Sequence, residues 1–192
     1  MLGGTFDPVH VGHLVAAVNV RHALGLDRVL LVVANEPWQK VGSRAVSPAA
    51  DRLALVEAAV GDVEGVEASS IEIDRGGISY TADTVAELAE RHPGAAIHVV
   101  VGEDVAAGLA SWERVDEIRE QVTLVVVTRP GDFERAMPGL DGWRTVTVEI
   151  PALEISSTDL RDRAASGRPL DYLVPPAVVH RIRERALYAV GR

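Results

Sequence analysis

Three short aliphatic runs, "RVLLVVA" (28–34), "AIHVVVG" (96–102) and "VTLVVVT" (122–128), show almost no alternation of polar and apolar residues. A strand with one wet face alternates with period two, so runs of this kind predict strands covered on both faces. Between them lie segments with apolar residues at helical spacing. These predict helices over 13–25, closed by Gly25, near 48–60, over 82–91 and over 103–120, with further strands near 66–73 and around 145–150. Strands alternating with helices predict a doubly wound α/β fold, a parallel sheet with helices on both faces. The 192 residues suffice for one such domain. Its last part, 155–192, reads as helical and includes a proline-started amphipathic stretch over 175–188. The Pro/Gly-rich stretch 130–142 reads as a surface loop.

Composition narrows the function classes. There is no cysteine, so disulfides, thiolate nucleophiles and Cys-ligated metals are excluded, as is common for cytoplasmic proteins. A net charge of −9 argues against nucleic acid as a partner, and an anionic substrate would need a local basic pocket. Arginine supplies all but one of the 19 basic side chains, Lys40 being the exception. No apolar run approaches the roughly 20 residues of a membrane span.

Ligands of open α/β sheets bind at the carboxyl ends of the strands. The unusual residue clusters fall there: "GGTFDPVH" at 3–10, "NEPWQK" at 35–40, "GED" at 102–104 and "TRPG" at 128–131. In the first, Gly3 and Gly4 allow close backbone approach, and Asp7-Pro8 shapes a turn leading His10 and His13 to a helix start. Helix-start N–H groups with imidazole donors make a phosphate cradle. The histidines are three apart without the glutamate of the zinc-peptidase motif, and no GxGxxG or GxxxxGK pattern is present. The stretch "ISSTDLRDR" (155–163) offers Ser156 and Asp159 as a capping box, plus Arg161 one turn in. Capping and phosphate binding use the same helix-start donors.

The set "GGTFDPVHVGH", "SYTADT" (79–84), "GED", "SW" (111–112), "TRPG" and "ISSTDLR" resembles, in order and over almost the whole chain, bacterial nicotinate mononucleotide adenylyltransferases of the nucleotidyltransferase superfamily. The "HxGH" core alone is shared with pantetheine-phosphate adenylyltransferases, cytidylyltransferases and class I tRNA synthetases. The resemblance implies a Rossmann-like fold and transfer of AMP from ATP to nicotinate mononucleotide, with Mg²⁺ bound mainly through ATP phosphates and no protein metal ligand. It implies His10, His13 and Arg161 as catalytic residues. Gly3, Gly4, Thr5, Phe6, Gly12, Ser156 and Ser157 would complete the ATP site. Trp38, Lys40, Thr81, Thr84, Gly102, Asp104, Trp112 and Arg129 would serve the acceptor, with Trp112 stacking on the nicotinate ring and Lys40 or Arg129 near its phosphate. Trp38 replaces a proline common in relatives, and Glu113 stands where some have tyrosine. The alternatives are an adenylyltransferase with another phosphorylated acceptor, such as phosphopantetheine, or a non-catalytic nucleotide-binding protein. Self-association is open.

One expectation concerns the beginning of the chain. A glycine turn of this kind should follow a central strand of about five residues, yet only Met1 and Leu2 precede Gly3. The expectation is a natural start upstream, a gap in the sheet and a damaged or rearranged phosphate site.

Overall fold

The computed structural model describes residues 1–37, 46–130 and 140–189, so Trp38, Lys40 and most of the loop expected at 130–142 lie outside the described residues. Six strands form one sheet: β1 (Leu2–Gly4), β2 (Val29–Val33), β4 (Val66–Ser69), β6 (Ile97–Gly102), β7 (Val122–Thr128) and β8 (Thr145–Glu149), in the order β4-β2-β1-β6-β7-β8. Every pairing is parallel. A separate two-stranded ribbon pairs β3 (Glu36–Pro37) with β5 (Ile78–Ser79).

The aliphatic runs are buried on both sides. In β6 and β7, Val100 and Val125 face a core with helices α1 (Val11–Leu24), α2 (Ala49–Val60), α7 (Ser157–Ala165) and α8 (Pro176–Glu184). Their neighbours Val99, Val101, Leu124 and Val126 face α4 (Thr81–Arg91) and α6 (Val115–Gln121) across the sheet. Successive side chains thus enter different cores, which is why the sequence shows no alternation. Among the described residues, no helix is long and apolar enough to cross a membrane.

Two elements differ from the sequence reading. The strand expected over 66–73 stops at Ser69, and Ile71 and Glu72 turn inward on a short helix, α3 (Ile71–Arg75). The helix expected over 103–120 is broken into α5 (Glu103–Ala106), a 3₁₀ turn at Leu109–Ser111, and α6. The break is held by Arg114, in a left-handed conformation at φ 51° with its guanidinium on Asp83. It leaves Trp112 extended beside the sheet end instead of wound into a helix.

The central strand is short but present. Leu2 pairs with Leu31 on one side and Val100 on the other, so β1 occupies the middle of the sheet and delivers its glycine turn to the carboxyl end. At the opposite end of the strand, Met1, Leu30, Ile97 and His98 line a cleft of about 520 Å³. The Met1 ammonium is buried and donates to the His98 carbonyl at 2.5 Å, and burial pushes its pKa down to about 5.

At the other end of β1, Phe6 folds back at φ 49° and is buried. A Cβ on Gly4 would lie 2.8 Å from its ring. Overpacking of this kind costs about 1–3 kcal/mol. Gly4→Ala is therefore expected to lower the melting temperature by roughly 2–4 °C per kcal/mol lost. Calorimetry showing an unchanged midpoint would refute the close packing.

Candidate active site

The loop after β1 carries the site, and three distant segments hold it. Arg52 of α2, only 1% exposed, donates to the carbonyls of Ser47 (2.8 Å), Thr5 (2.8 Å) and Asn35 (2.9 Å). From α7, Ser157 Oγ donates to the Pro8 carbonyl at 2.8 Å and Arg161 Nη1 to the Asp7 carbonyl at 2.7 Å. The Asp7 carboxylate accepts from the Tyr188 hydroxyl at 2.9 Å. Burial, followed by the Asp7 charge, pushes the Tyr188 phenol well above its ordinary pKa, so it remains a donor. The Asp7-Pro8 peptide is cis.

This loop aims two stacked imidazoles at the sheet end. The ring centroids of His10 and His13 lie 3.7 Å apart, and the Phe6 and His13 rings pack edge to face with centroids 4.9 Å apart. His13 Nδ1 accepts from the His10 backbone N–H at 3.2 Å, which places the proton of a neutral ring on Nε2. A Cβ on Gly12 would lie 3.1 Å from His10 Nδ1, so glycine keeps that side open.

Two clefts meet at His13 and Gly102. The first, about 600 Å³, is bordered by His10, Gly12, Asp104, Thr128 and Arg129. Three buried side-chain polar atoms lack partners among the described residues, His10 Nδ1, Glu103 Oε1 and Thr128 Oγ1, and all three residues line this cleft. Buried polar atoms are rarely left unpaired, so their concentration marks a ligand surface. The second cleft, about 370 Å³, is bordered by Gly3, Gly4, Thr5, Thr81, Glu72 and Trp112.

The expected site residues are distributed as follows. His10, Gly12 and His13 line the first cleft, while Gly3, Gly4 and Thr5 line the second. Phe6 is core, positioning His13. Ser156 caps α7 by accepting from the Asp159 N–H at 3.1 Å; Ser157 and Arg161 engage the loop carbonyls and are not among the residues lining either cleft. Arg129 and Asp104 border the first cleft and not the second. Thr84 is fully buried, donating to Glu72 Oε1 at 2.6 Å and accepting from Arg75 at 3.0 Å, so its hydroxyl organises the wall behind Thr81. Arg52, Tyr188, Glu72 and Glu103 escaped the sequence reading. A single charged residue on the buried face of "AADRLALVEAAV" was the available signal for Arg52.

Burial pushes the His10 pKa down to about 4, so the ring is neutral near pH 7. The unfolded chain, with an ordinary value near 6.5, binds a proton that the folded chain refuses between those limits. Stability is therefore lost as pH falls from 6.5 towards 4, by at most about 3 kcal/mol from this group. In His10→Asn the fall of melting temperature across that window is expected to be shallower. Parallel curves for the two proteins would refute the burial effect.

The chain matches the cytidylyltransferase-like family over residues 1–163. It is similar to a probable nicotinate-nucleotide adenylyltransferase of Corynebacterium kroppenstedtii, with 44% identity over 98% of this chain and 89% of the relative. A probable nicotinate-nucleotide adenylyltransferase of Saccharopolyspora erythraea is 43% identical over 98% of this chain and 88% of the relative. In fold it is similar to the Plasmodium falciparum nicotinic acid mononucleotide adenylyltransferase complexed with NaAD, with a TM-score of 0.80 at 17% identity over 97% of this chain and 95% of that one. With residues from several of the expected motifs lining two clefts that meet at His13 and Gly102, the chain belongs to the cytidylyltransferase-like family and, within it, to the group of its nicotinate-nucleotide adenylyltransferase relatives.

Proposed function

We propose that this protein transfers AMP from ATP to nicotinate mononucleotide, yielding nicotinate adenine dinucleotide and pyrophosphate. The observation that carries the reading is the junction of the two clefts at His13 and Gly102, where the phosphate ends of two nucleotides can meet. An acceptor phosphate oxygen attacks the α-phosphorus of ATP; that O–P bond forms as the bond to the bridging oxygen breaks and pyrophosphate leaves. No protein nucleophile takes part, so catalysis is positioning and charge stabilisation.

His13, braced by Phe6 and stacked on His10, presents Nε2–H to charge developing on the pyrophosphate. Neutral His10 and cationic Arg129, which share the first cleft, face the triphosphate. Ser157 and Arg161 act through the Asp7 and Pro8 carbonyls, fixing the loop that carries both histidines. On the acceptor side, Trp112 covers the pyridine ring and Thr81 lies beside it. The carboxylate of Glu72, which also borders this cleft, is drawn back by Thr84 and, through it, by Arg75. ATP enters as its Mg²⁺ complex.

Incubation with ATP, Mg²⁺ and nicotinate mononucleotide is expected to give the dinucleotide by mass spectrometry. Turnover with phosphopantetheine alone would overturn the reading. His13→Ala is expected to lower kcat by about 10² to 10³, as loss of one transition-state donor does, with a much smaller change in ATP binding; an unchanged kcat would remove His13 from the chemistry. The acid substrate is expected to give a higher kcat/KM than nicotinamide mononucleotide, because a carboxylate accepts from several N–H donors where an amide presents its own NH₂. Equal values would count against acid selection.

A further inference from the structure

Two walls of the second cleft come from segments far apart in sequence. Thr81 lines it from the first turn of α4, and Trp112 lines it from the end of the 3₁₀ turn at Leu109–Ser111. Two residues beyond each of them stands a charged side chain, Asp83 and Arg114. These two meet, Nη2 of the arginine donating to Oδ1 of the carboxylate. Neither side chain lines either active-site cleft.

The pair stands where local preference and the site disagree. The apolar spacing of 103–120 favours one continuous helix. Such a helix needs Trp112 and Arg114 at helical angles, whereas Trp112 has ψ 139° and Arg114 has φ 51°. Each half of the break closes on itself. The Trp112 N–H donates to the Leu109 carbonyl at 2.9 Å, and the Arg114 carbonyl accepts from the Glu117 N–H at 3.1 Å. What joins the halves is the left-handed Arg114, a conformation that is costly for any residue with a long side chain. Its guanidinium lies 3.7 Å from Glu117 within α6 and in direct contact with Asp83 of α4. An ion pair this exposed adds little to overall stability. It is of the same small size as the backbone cost, so it can decide which arrangement the segment adopts while leaving the fold unaffected.

We infer that Asp83 and Arg114 are positioning residues for the acceptor: their ion pair holds the break before α6 and thereby keeps Trp112 in the wall of the cleft that Thr81 also lines. That this cleft takes the acceptor rests on the adenylyl-transfer reading, whereas the hold on Trp112 is a property of the unliganded protein. Without the pair, the segment divides between the broken form and others, and the acceptor binds only the broken one. Affinity then falls by the fraction of competent chains, while a saturated enzyme still turns over at its normal rate. The signature is a rise in acceptor KM without a fall in kcat, which loss of folded protein does not give.

The experiment measures KM and kcat by pyrophosphate release with nicotinate mononucleotide and ATP. The proteins are the wild type, Asp83→Ala, Arg114→Ala, the double variant, Arg114→Lys, and Arg119→Ala, which removes a comparable exposed pair with Asp116 on α6. The same proteins, labelled with fluorotryptophan, are compared without ligand by fluorine NMR, the Trp112 resonance being the one lost in Trp112→Phe. Asp83→Ala and Arg114→Ala are each expected to raise the acceptor KM about 3- to 10-fold, with kcat and the ATP KM within about twofold of wild type. Both are expected to shift or broaden the Trp112 resonance. The double variant is expected to be no worse than the larger single effect, because both changes remove one interaction. Arg114→Lys, which still offers Asp83 a single charged donor, is expected to stay near wild type, and Arg119→Ala to match wild type in both readouts. The proposal is overturned if the Trp112 resonance is the same in the wild type and both single variants, if their effects on acceptor KM add in the double variant, or if Arg119→Ala has the same effect. A Trp112 resonance that responds to the pair in a wild-type protein forming no dinucleotide would count against adenylyl transfer and leave the hold on Trp112 standing.

Discussion

The buried guanidinium of Arg52 is the interaction on which the site geometry depends. Its three donors reach the carbonyls of Thr5, Asn35 and Ser47, which belong to the turn after β1, the turn after β2 and the approach to α2. Asn35 passes the constraint on, since its N–H donates to Ser79 Oγ at 2.8 Å and its side chain to the Gly77 carbonyl at 2.9 Å. One planar fork thereby fixes the spacing between the histidine loop and the segment that starts α4, where Thr81 borders the acceptor cleft. Lysine, whose three donors sit on one nitrogen, cannot reproduce that geometry.

Much of this was legible in the sequence because it rests on local physics. Strands buried on both faces announce themselves as unbroken aliphatic runs, and β7 was delimited correctly at 122–128. Gly25 closes α1 in a left-handed conformation at φ 61°, as a glycine following the last helical turn should. The histidine pair was legible because closely spaced residues on one turn cannot be far apart. What was not legible depends on partners distant in sequence. The long helix expected over 103–120 is broken by an Arg114 conformation that pairs with Asp83, thirty-one residues earlier. Thr84 and Thr81 look equivalent in "SYTADT", yet Glu72 and Arg75 withdraw the first into a buried network. The bonds that Ser157 and Arg161 make to the Pro8 and Asp7 carbonyls, 149 and 154 residues away in sequence, were likewise not legible from the motif alone.

The site also shows how an acidic protein can receive anionic substrates. Net charge of −9 weakens any long-range attraction, so the work falls to short-range donors. The His10 imidazole, kept neutral by burial, supplies a hydrogen-bonding group without the desolvation cost of a buried cation. The arginines nearest the histidines are divided between structure and ligand surface, with Arg52 and Arg161 tied to backbone carbonyls and Arg129 bordering the cleft. A modest number of oriented dipoles thus replaces a basic patch.

The bonds from Ser157, Arg161 and Tyr188 to the loop at 7–8 span 149, 154 and 181 residues. Chains emerge from synthesis amino end first, and contacts of such separation close late. The loop at 7–8, which leads to His10 and His13, therefore remains unbraced by these bonds while the sheet and its earlier helices assemble, and it is fastened only when α7 and the tail after α8 dock. Segments that contribute no strand to the sheet, α7 and the tail after α8, thus act as the clasp on a loop that lies at the opposite end of the numbering.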